Sequence, residues 1–254
     1  MKVITITNQK GGIGKTTTAT TMAGILSEKG YKVLVIDADP QRNTTAVYNA
    51  KWENETTLYD VLAGNPRVSM KEAIQHTENG DIVASDKLMR DADIVFLQDS
   101  ANGIYRLQDA LEDVKDEYDY VIIDTNPTID RIMYNALVAA DEIIIPTSAA
   151  LFGVMGLGDL IETIAAVKKR SNPKLKVKGI LIVAYKGHNF NKQVKEQLDS
   201  FAESIGTKVF KTPIRVCVKV EESQAAMMPL HKYAPKCTST ADYKAFVDEF
   251  LKEE

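Results

Sequence analysis

An α/β fold, built on a doubly wound, mostly parallel sheet flanked by helices, is what this sequence predicts. Five short β-branched runs (residues 3–6, 33–36, 121–123, 143–145 and 180–183) are apolar without alternating. Parallel strands covered on both faces have that pattern. Helical spacing fills the intervals between them, and strands alternating with helices imply βαβ units. Three of the runs are followed at once by glycine-rich or acidic residues. Ligands of such sheets bind beyond the carboxyl ends of the strands.

Taken in order, the first strand leads into residues 15–29, where Ala19, Met22, Ala23 and Leu26 recur at i, i+3, i+4 and i+7. Gly30 is placed to end that helix. Pro40 closes the second strand, because the residue before a proline is pushed out of helical geometry. Residues 49–116 are the least regular part, with short helices and a minor strand near 81–85. Near 153–169, Leu157, Leu160, Ile161 and Ile164 repeat the helical spacing. A further helix is expected over 193–205. The last opens on a Ser-x-x-Asp box, Ser239 and Asp242, and lays Tyr243, Phe246, Val247 and Phe250 along one stripe. No repeat or linker interrupts the chain, so residues 1–254 are expected to form one domain.

The 254 residues are 44% apolar and 26% charged, which excludes a disordered tail, a collagen or a disulfide scaffold. Cys217 and Cys237 are too few for a disulfide framework and have no metal-ligand spacing, which fits a reducing cytosol. No apolar run reaches the ~18 residues of a membrane span. The first residues, MKVITIT, are too short and too β-branched for a signal peptide. A cytoplasmic protein is therefore expected. The net charge of −4 hides an asymmetry. Residues 165–220 hold 13 Lys and Arg against three carboxylates, an excess of ten, so the remainder carries −14. What matters for polyanions is where positive charge collects, although a solvated helix face explains a lysine-rich stretch equally well.

After the first strand comes Asn8-Gln9-Lys10-Gly11-Gly12-Ile13-Gly14-Lys15-Thr16-Thr17. Strand, glycine-rich turn and a helix opening with Gly-Lys-Thr form a phosphate cradle. Glycines let backbone N–H groups turn inward, and the helix N-terminus adds partial positive charge. Lys15 is placed to reach the β- and γ-phosphates, and the Thr16 hydroxyl to ligate Mg²⁺. The ordinary phosphate-loop pattern asks for glycine at position 9, where this chain has Gln9. It offers a second lysine, Lys10, at the loop entrance instead. The second strand ends in Asp37-Ala38-Asp39-Pro40-Gln41, two carboxylates on one side of an extended chain. The third ends on Asp124, the Walker B form, in which a carboxylate holds Mg²⁺ directly or through water.

KGGIGKTT at 10–17, DADPQ at 37–41 and YVIIDTNP at 120–127 together resemble the ParA/MinD family of deviant Walker ATPases. The nearer likeness is to the short, Soj-like ParA DNA-partition proteins. It extends to AADEIIIP at 139–146 and PLHKYAPKCTSTADY at 229–243, and so covers nearly the whole chain. The resemblance implies a P-loop ATPase with ATP and Mg²⁺ as cofactors and slow basal turnover. Gly11, Gly12, Ile13, Gly14, Lys15, Thr16 and Thr17 would bind the phosphates, and Pro213 would line the adenine. Thr16, Asp37 and Asp124 would serve the metal, the two carboxylates through its waters. Asp39 would orient the attacking water. Lys10 would reach across an ATP-sandwiched homodimer to the partner's phosphates, a trans-acting cation like an arginine finger but without the planar fork. Two positions depart from the family pattern: Arg42 stands where Gly is common, and Asn126-Pro127 where Pro-Pro is common.

ParA relatives bind DNA non-specifically as ATP dimers and release it when a ParB-like partner stimulates hydrolysis. In this chain the candidate phosphate contacts are Lys186, Lys192, Lys211, Arg215 and Lys219, within the basic third. Localisation on the nucleoid follows. No N-terminal helix-turn-helix extension and no sequence-specific operator binding are expected. MinD-like relatives end in a basic membrane-binding helix. Here the tail holds five carboxylates against Lys244 and Lys252, so stable membrane association is not expected. Metabolic ligases, reductases and kinases of this fold share the loop, but they lack DADPQ in this form or need cysteine or tyrosine clusters absent here.

Overall fold

The computed structural model describes residues 1–99, 101–149 and 157–252. Its strands are β1 (Lys2–Ile6), β2 (Val33–Ala38), β3 (Ile74–Thr77), β4 (Gly80–Val83), β5 (Tyr120–Thr125), β6 (Glu142–Ser148) and β7 (Lys176–Val183). They form one sheet in the order β3-β4-β2-β5-β1-β6-β7. Among the described residues only β3 runs antiparallel, paired with β4. The helices are α1 (Lys15–Glu28), α2 (Asn43–Val47), α3 (Leu58–Ala63), α4 (Met70–Ala73), α5 (Ala92–Gln98), α6 (Arg106–Leu111), α7 (Arg131–Ala139), α8 (Gly158–Arg170), α9 (Asn189–Ser204), α10 (Val218–Ala225), α11 (Leu230–Tyr233) and α12 (Thr238–Leu251).

Successive residues of each strand feed opposite faces. On one face Ile4, Ile6, Val35 and Ile122 pack with α1 and α12 through Met22, Leu26, Phe246 and Phe250. On the other, Val3, Leu34, Ile36, Val121 and Ile123 pack with Leu58, Leu62, Phe96 and Leu107. A third cluster joins β6 and β7 to α7, α8 and α9 through Ile143, Ile180, Leu160, Ile164 and Leu198. Each such side chain contributes about 1.5–3 kcal/mol on leaving water, which is why the central strands tolerate no polar alternation.

The phosphate-loop helix α1 is threonine-rich, and β-branched residues are mediocre helix formers. The Thr20 hydroxyl donates back to the Thr16 carbonyl at 2.8 Å. Burial of residues 17–26 therefore holds α1, rather than propensity. Gly30, at φ 93°, ends the helix as its spacing predicts. The Tyr31 N–H donates to the Leu26 carbonyl and that of Gly30 to Ser27, the paired closure of a Schellman motif.

Several expectations need correction. The minor strand spans Gly80–Val83, and β3 precedes it as an antiparallel partner that the polar run IQHT does not advertise. Helix α9 begins at Asn189 rather than 193. Ser239 and Asp242 do not form a capping box. Cys237 caps α12, its sulfur accepting from the Thr240 N–H at 3.4 Å. Ser239 Oγ donates to the Arg215 carbonyl at 2.7 Å, and the Asp242 carboxylate takes the Arg215 guanidinium. The apolar stripe of α12 is core: Tyr243, Phe246, Val247 and Phe250 are each at most 2% exposed. Residues 153–156 of the expected eighth helix, and Glu253 and Glu254 of the tail, lie outside the described residues.

Candidate nucleotide site

The order β2-β5-β1 sets the three chemistry-bearing strand ends side by side. Asp37 and Asp124 are register partners across β2 and β5, and Ile6 is the partner of Asp124 across β1. The phosphate loop leaves β1 at Thr7. Its first turn is fixed by Asn8, whose amide donates to the Pro146 carbonyl at 2.7 Å and whose Oδ1 accepts the Lys10 N–H at 3.0 Å. Gly12 (φ 68°) and Gly14 (φ 80°) take the left-handed conformations that turn the loop into α1.

Lys15 is buried, and its ammonium donates to the Lys10 carbonyl at 3.3 Å. Burial pulls its pKa down, against the opposing attraction of Asp124 and Asp39. The Thr16 hydroxyl donates to Asp124 Oδ2 at 2.7 Å, as that of Thr44 does at 2.6 Å. Thr45 binds Asp37 Oδ2 through both its hydroxyl and its N–H, each at 2.7 Å. Burial, then the neighbouring Asp124 charge, pushes Asp37 up to about 7. Burial pushes Asp124 up to about 6, against the Thr44 and Thr16 hydrogen bonds. Asp124 Oδ1 is buried with no hydrogen-bond partner. A hydroxyl and two carboxylates are the oxygen donors that suit a hard cation such as Mg²⁺, and the partnerless Oδ1 of Asp124 fits that reading. No cluster of three His, Cys, Asp or Glu able to hold a metal exists among the described residues.

Two cavities meet at the loop, sharing Gly12, Ile13, Gly14, Thr17 and Gln224. One, of about 460 Å³, is lined by Lys15, Thr16, Asp39, Gln41 and Asn43 and has room for phosphates. The other, of about 430 Å³, is lined by Val183, Ile214, Val216, Val218 and Tyr243 and offers a base an apolar bed. Pro213, expected against the adenine, is not among the residues that line this cavity; its neighbour Ile214 is.

Sequence reasoning missed Thr44, Thr45 and Gln224. Gln224 Nε2 donates to the Thr17 hydroxyl at 2.9 Å across 207 residues, a contact no local pattern carries. For the other two, the Thr-Thr pair just past the Asp39-Pro40 turn was the available signal. Arg42, where the resemblance expects Gly, has φ 61°. A left-handed non-glycine residue costs roughly 1–2 kcal/mol. Its guanidinium lies 4.2 Å from the Trp52 ring centre, and a cation–π contact of about 0.5–2 kcal/mol offsets much of that strain. Asn126 donates to Asp130 Oδ2 at 2.5 Å, and Asp130 caps α7 by accepting the Met133 N–H. The segment after Asp124 is thereby tied to that helix.

Lys10 is exposed at the loop entrance. The candidate DNA contacts divide. Lys186, Lys192 and Lys211 are exposed and have no ion pair among the described residues. Arg215 pairs with Asp242 at 2.6 Å and Lys219 with Glu222 at 2.6 Å. A phosphate would have to compete with those carboxylates.

Fold, loop and carboxylates define a P-loop nucleotide-binding protein. A family model described as an AAA domain matches residues 1–177. The chromosome partitioning protein ParA of Caulobacter vibrioides is 34% identical over 258 residues, covering 100% of this chain and 95% of that protein. The sporulation initiation inhibitor protein Soj of Bacillus subtilis is 33% identical over 244 residues, covering 95% of each. Among solved structures, a Mycobacterium smegmatis protein named cobyrinic acid a,c-diamide synthase, with bound ADP and magnesium, superposes with a TM-score of 0.85 at 27% identity. It is covered over 95% of its length and covers all of this chain. A plasmid partition protein of Borrelia burgdorferi bound to AMPPNP gives 0.82 at 27% identity, covering 100% and 99%. The chain belongs to the ParA family of P-loop ATPases.

Proposed function

We propose that this chain is a partition ATPase whose DNA affinity is switched by ATP. The observation that carries the reading is the meeting of the phosphate loop with Asp37, Asp39 and Asp124 at one point. Lys15, drawn off the Lys10 carbonyl, binds the β- and γ-phosphates. Thr16 ligates Mg²⁺, with Asp37 and Asp124 holding its waters. Mg²⁺ supplies charge neutralisation at the phosphates. Asp39 orients the water whose oxygen attacks the γ-phosphorus while the bond to ADP breaks. The described chain forms one ATPase domain. In a sandwich homodimer Lys10 reaches the partner's phosphates.

The dimer lays the lysines of residues 165–220 on the DNA backbone, without sequence preference. Two protomers double the contacts, so dimerisation raises affinity through effective concentration. A ParB-like partner at a centromere stimulates hydrolysis and releases the dimer. The protein acts in the cytoplasm, on the nucleoid. Among the described residues no helix is long and apolar enough to cross a membrane, and burial of the α12 stripe speaks against a MinD-like membrane anchor. The test is a gel shift on random duplex with ATP, ADP or neither, at two salt concentrations. Binding that needs ATP and weakens with salt is expected. Binding to anionic liposomes in place of DNA would overturn the reading in favour of a membrane-positioning ATPase.

A further inference from the structure

The turn between Asp39 and α2 is held from outside the nucleotide cavity. The Arg42 N–H donates to the Asp39 carbonyl at 2.9 Å, and the Arg42 carbonyl accepts the Ala46 N–H at 2.9 Å. Its backbone is thus the joint between the carboxylate turn and α2. The Gln41 N–H holds the Asp39 carboxylate at 2.8 Å. The Arg42 side chain leads elsewhere, to the Trp52 ring. One of its guanidinium nitrogens is buried without a hydrogen-bond partner, and no carboxylate pairs with it among the described residues. Lys87 places its ammonium 4.8 Å from the centre of the same ring. Lys87 follows β4, whose Val83 is the register partner of Ile36 on β2, the strand that carries Asp37. One indole, the only tryptophan of the chain, therefore ties three segments back to the rigid sheet.

We propose that the Arg42–Trp52–Lys87 stack sets the position of Asp39, making Arg42 and Trp52 positioning residues for hydrolysis. The proposal rests on the reading that Asp39 orients the attacking water. A carboxylate in that role must be held within a fraction of an ångström, which requires support from behind. The groups placed to hold ATP, Lys15 and the loop amides, sit at the start of α1 and in the loop between β1 and α1, on neither α2 nor the Trp52 segment. Loss of the stack therefore falls on kcat and spares nucleotide affinity. The Arg42 guanidinium is held by an aromatic face and not by a counter-charge, so the ring's aromatic character, beyond its bulk, carries the effect.

The test compares kcat for MgATP, and Kd for a non-hydrolysable ATP analogue, in Trp52→Leu, Trp52→Phe, Arg42→Gly, the Arg42→Gly/Trp52→Leu double variant and Asp39→Ala. Trp52→Leu and Arg42→Gly should each lower kcat about tenfold while the analogue Kd stays within about twofold. Trp52→Phe should retain about a third or more of the wild-type kcat. The double variant should be no slower than the slower single, because both remove one interaction. Glycine suits the left-handed joint, so Arg42→Gly carries the test should Trp52→Leu fail to fold. Equal losses in kcat and Kd, additive losses in the double variant, or no advantage of Phe over Leu would overturn the proposal. Wild-type turnover in Asp39→Ala would instead refute the underlying reading of Asp39. An inactive Asp39→Ala beside normal Trp52→Leu and Arg42→Gly would refute the stack alone.

Discussion

The sheet ends in carboxylates on both sides, and the two sides treat them in opposite ways. At the amino ends of the strands, Glu142 lies 3.3 Å from the Lys178 ammonium and 3.8 Å from that of Lys2. Asp141 there accepts the Val3 N–H and Asp119 the Lys32 N–H, both at 2.8 Å. At the carboxyl ends, Asp37 and Asp124 face each other fully buried, with hydroxyls and one N–H of α2 around them and no ion pair among the described residues. The protein pairs its carboxylates with ammonium and N–H groups at the amino ends, and at the carboxyl ends it packs two of them together, so that burial raises both pKa values. Burying two neighbouring carboxylates costs stability, a cost that the carboxyl ends carry and the amino ends do not.

The largest expected effect removes the buried cation of the phosphate loop. Lys15→Ala should lose about 3 kcal/mol of ATP binding, more than a hundredfold in Kd by calorimetry, because a charged hydrogen-bond donor to the phosphates disappears. The two ends should then answer neutralisation with opposite signs. Glu142→Gln takes a negative charge away from beside Lys178, whose side chain is only 11% exposed. Urea titration at pH 7 should show a loss of about 2 kcal/mol. Asp124→Asn should instead stabilise the nucleotide-free protein. The amide oxygen can keep the Thr16 and Thr44 hydroxyls, and the NH₂ takes the orphaned Oδ1 position.

The pH dependence follows from the raised Asp124. Its folded pKa, about 6, lies above the unfolded value near 3.9. The unfolded state therefore binds fewer protons, and with Asp37 also raised, to about 7, the wild-type protein loses stability as pH rises from about 4 to about 7. The gain from Asp124→Asn should be absent below about pH 4 and reach about 3 kcal/mol at pH 8, with hydrolysis abolished. A gain independent of pH would break the comparison.

What was legible in the sequence divides along the same physical line. The apolar runs ending at Ile6, Ile36 and Ile123 were readable because burial on both faces demands β-branched residues, although β2 and β5 run on to Ala38 and Thr125. The loop, Asp37, Asp39 and Asp124 were readable because each sits within a residue or two of a strand end. The carboxylates' hydroxyl partners were not, since α2 is five residues long with no apolar periodicity. Strand β3 hid in a polar hairpin. The Ser239–Asp242 box failed because a guanidinium from a distant segment outcompetes a helix N–H for Asp242. Local patterns announce backbone turns and charges, while their partners are chosen by topology.

The smallest expected effect concerns the exposed lysines, which interact weakly until a polyanion collects them. Changing Lys186 and Lys192 together to Glu should leave ATP binding unchanged. It should lower the salt dependence of DNA binding by about 0.9 in log–log slope for each phosphate that is no longer neutralised. Charge reversal at Arg215, already satisfied by Asp242, should instead unsettle the base-side segment.

The most direct test of the account is the solution mass of Asp39→Ala by light scattering with Mg²⁺ and ATP, set beside the same protein with ADP. With ATP bound and hydrolysis blocked, the mass should be twice the 28.1 kDa of the chain, and Lys10→Ala added to it should return the monomer. A 28.1 kDa species with saturating ATP would contradict the account.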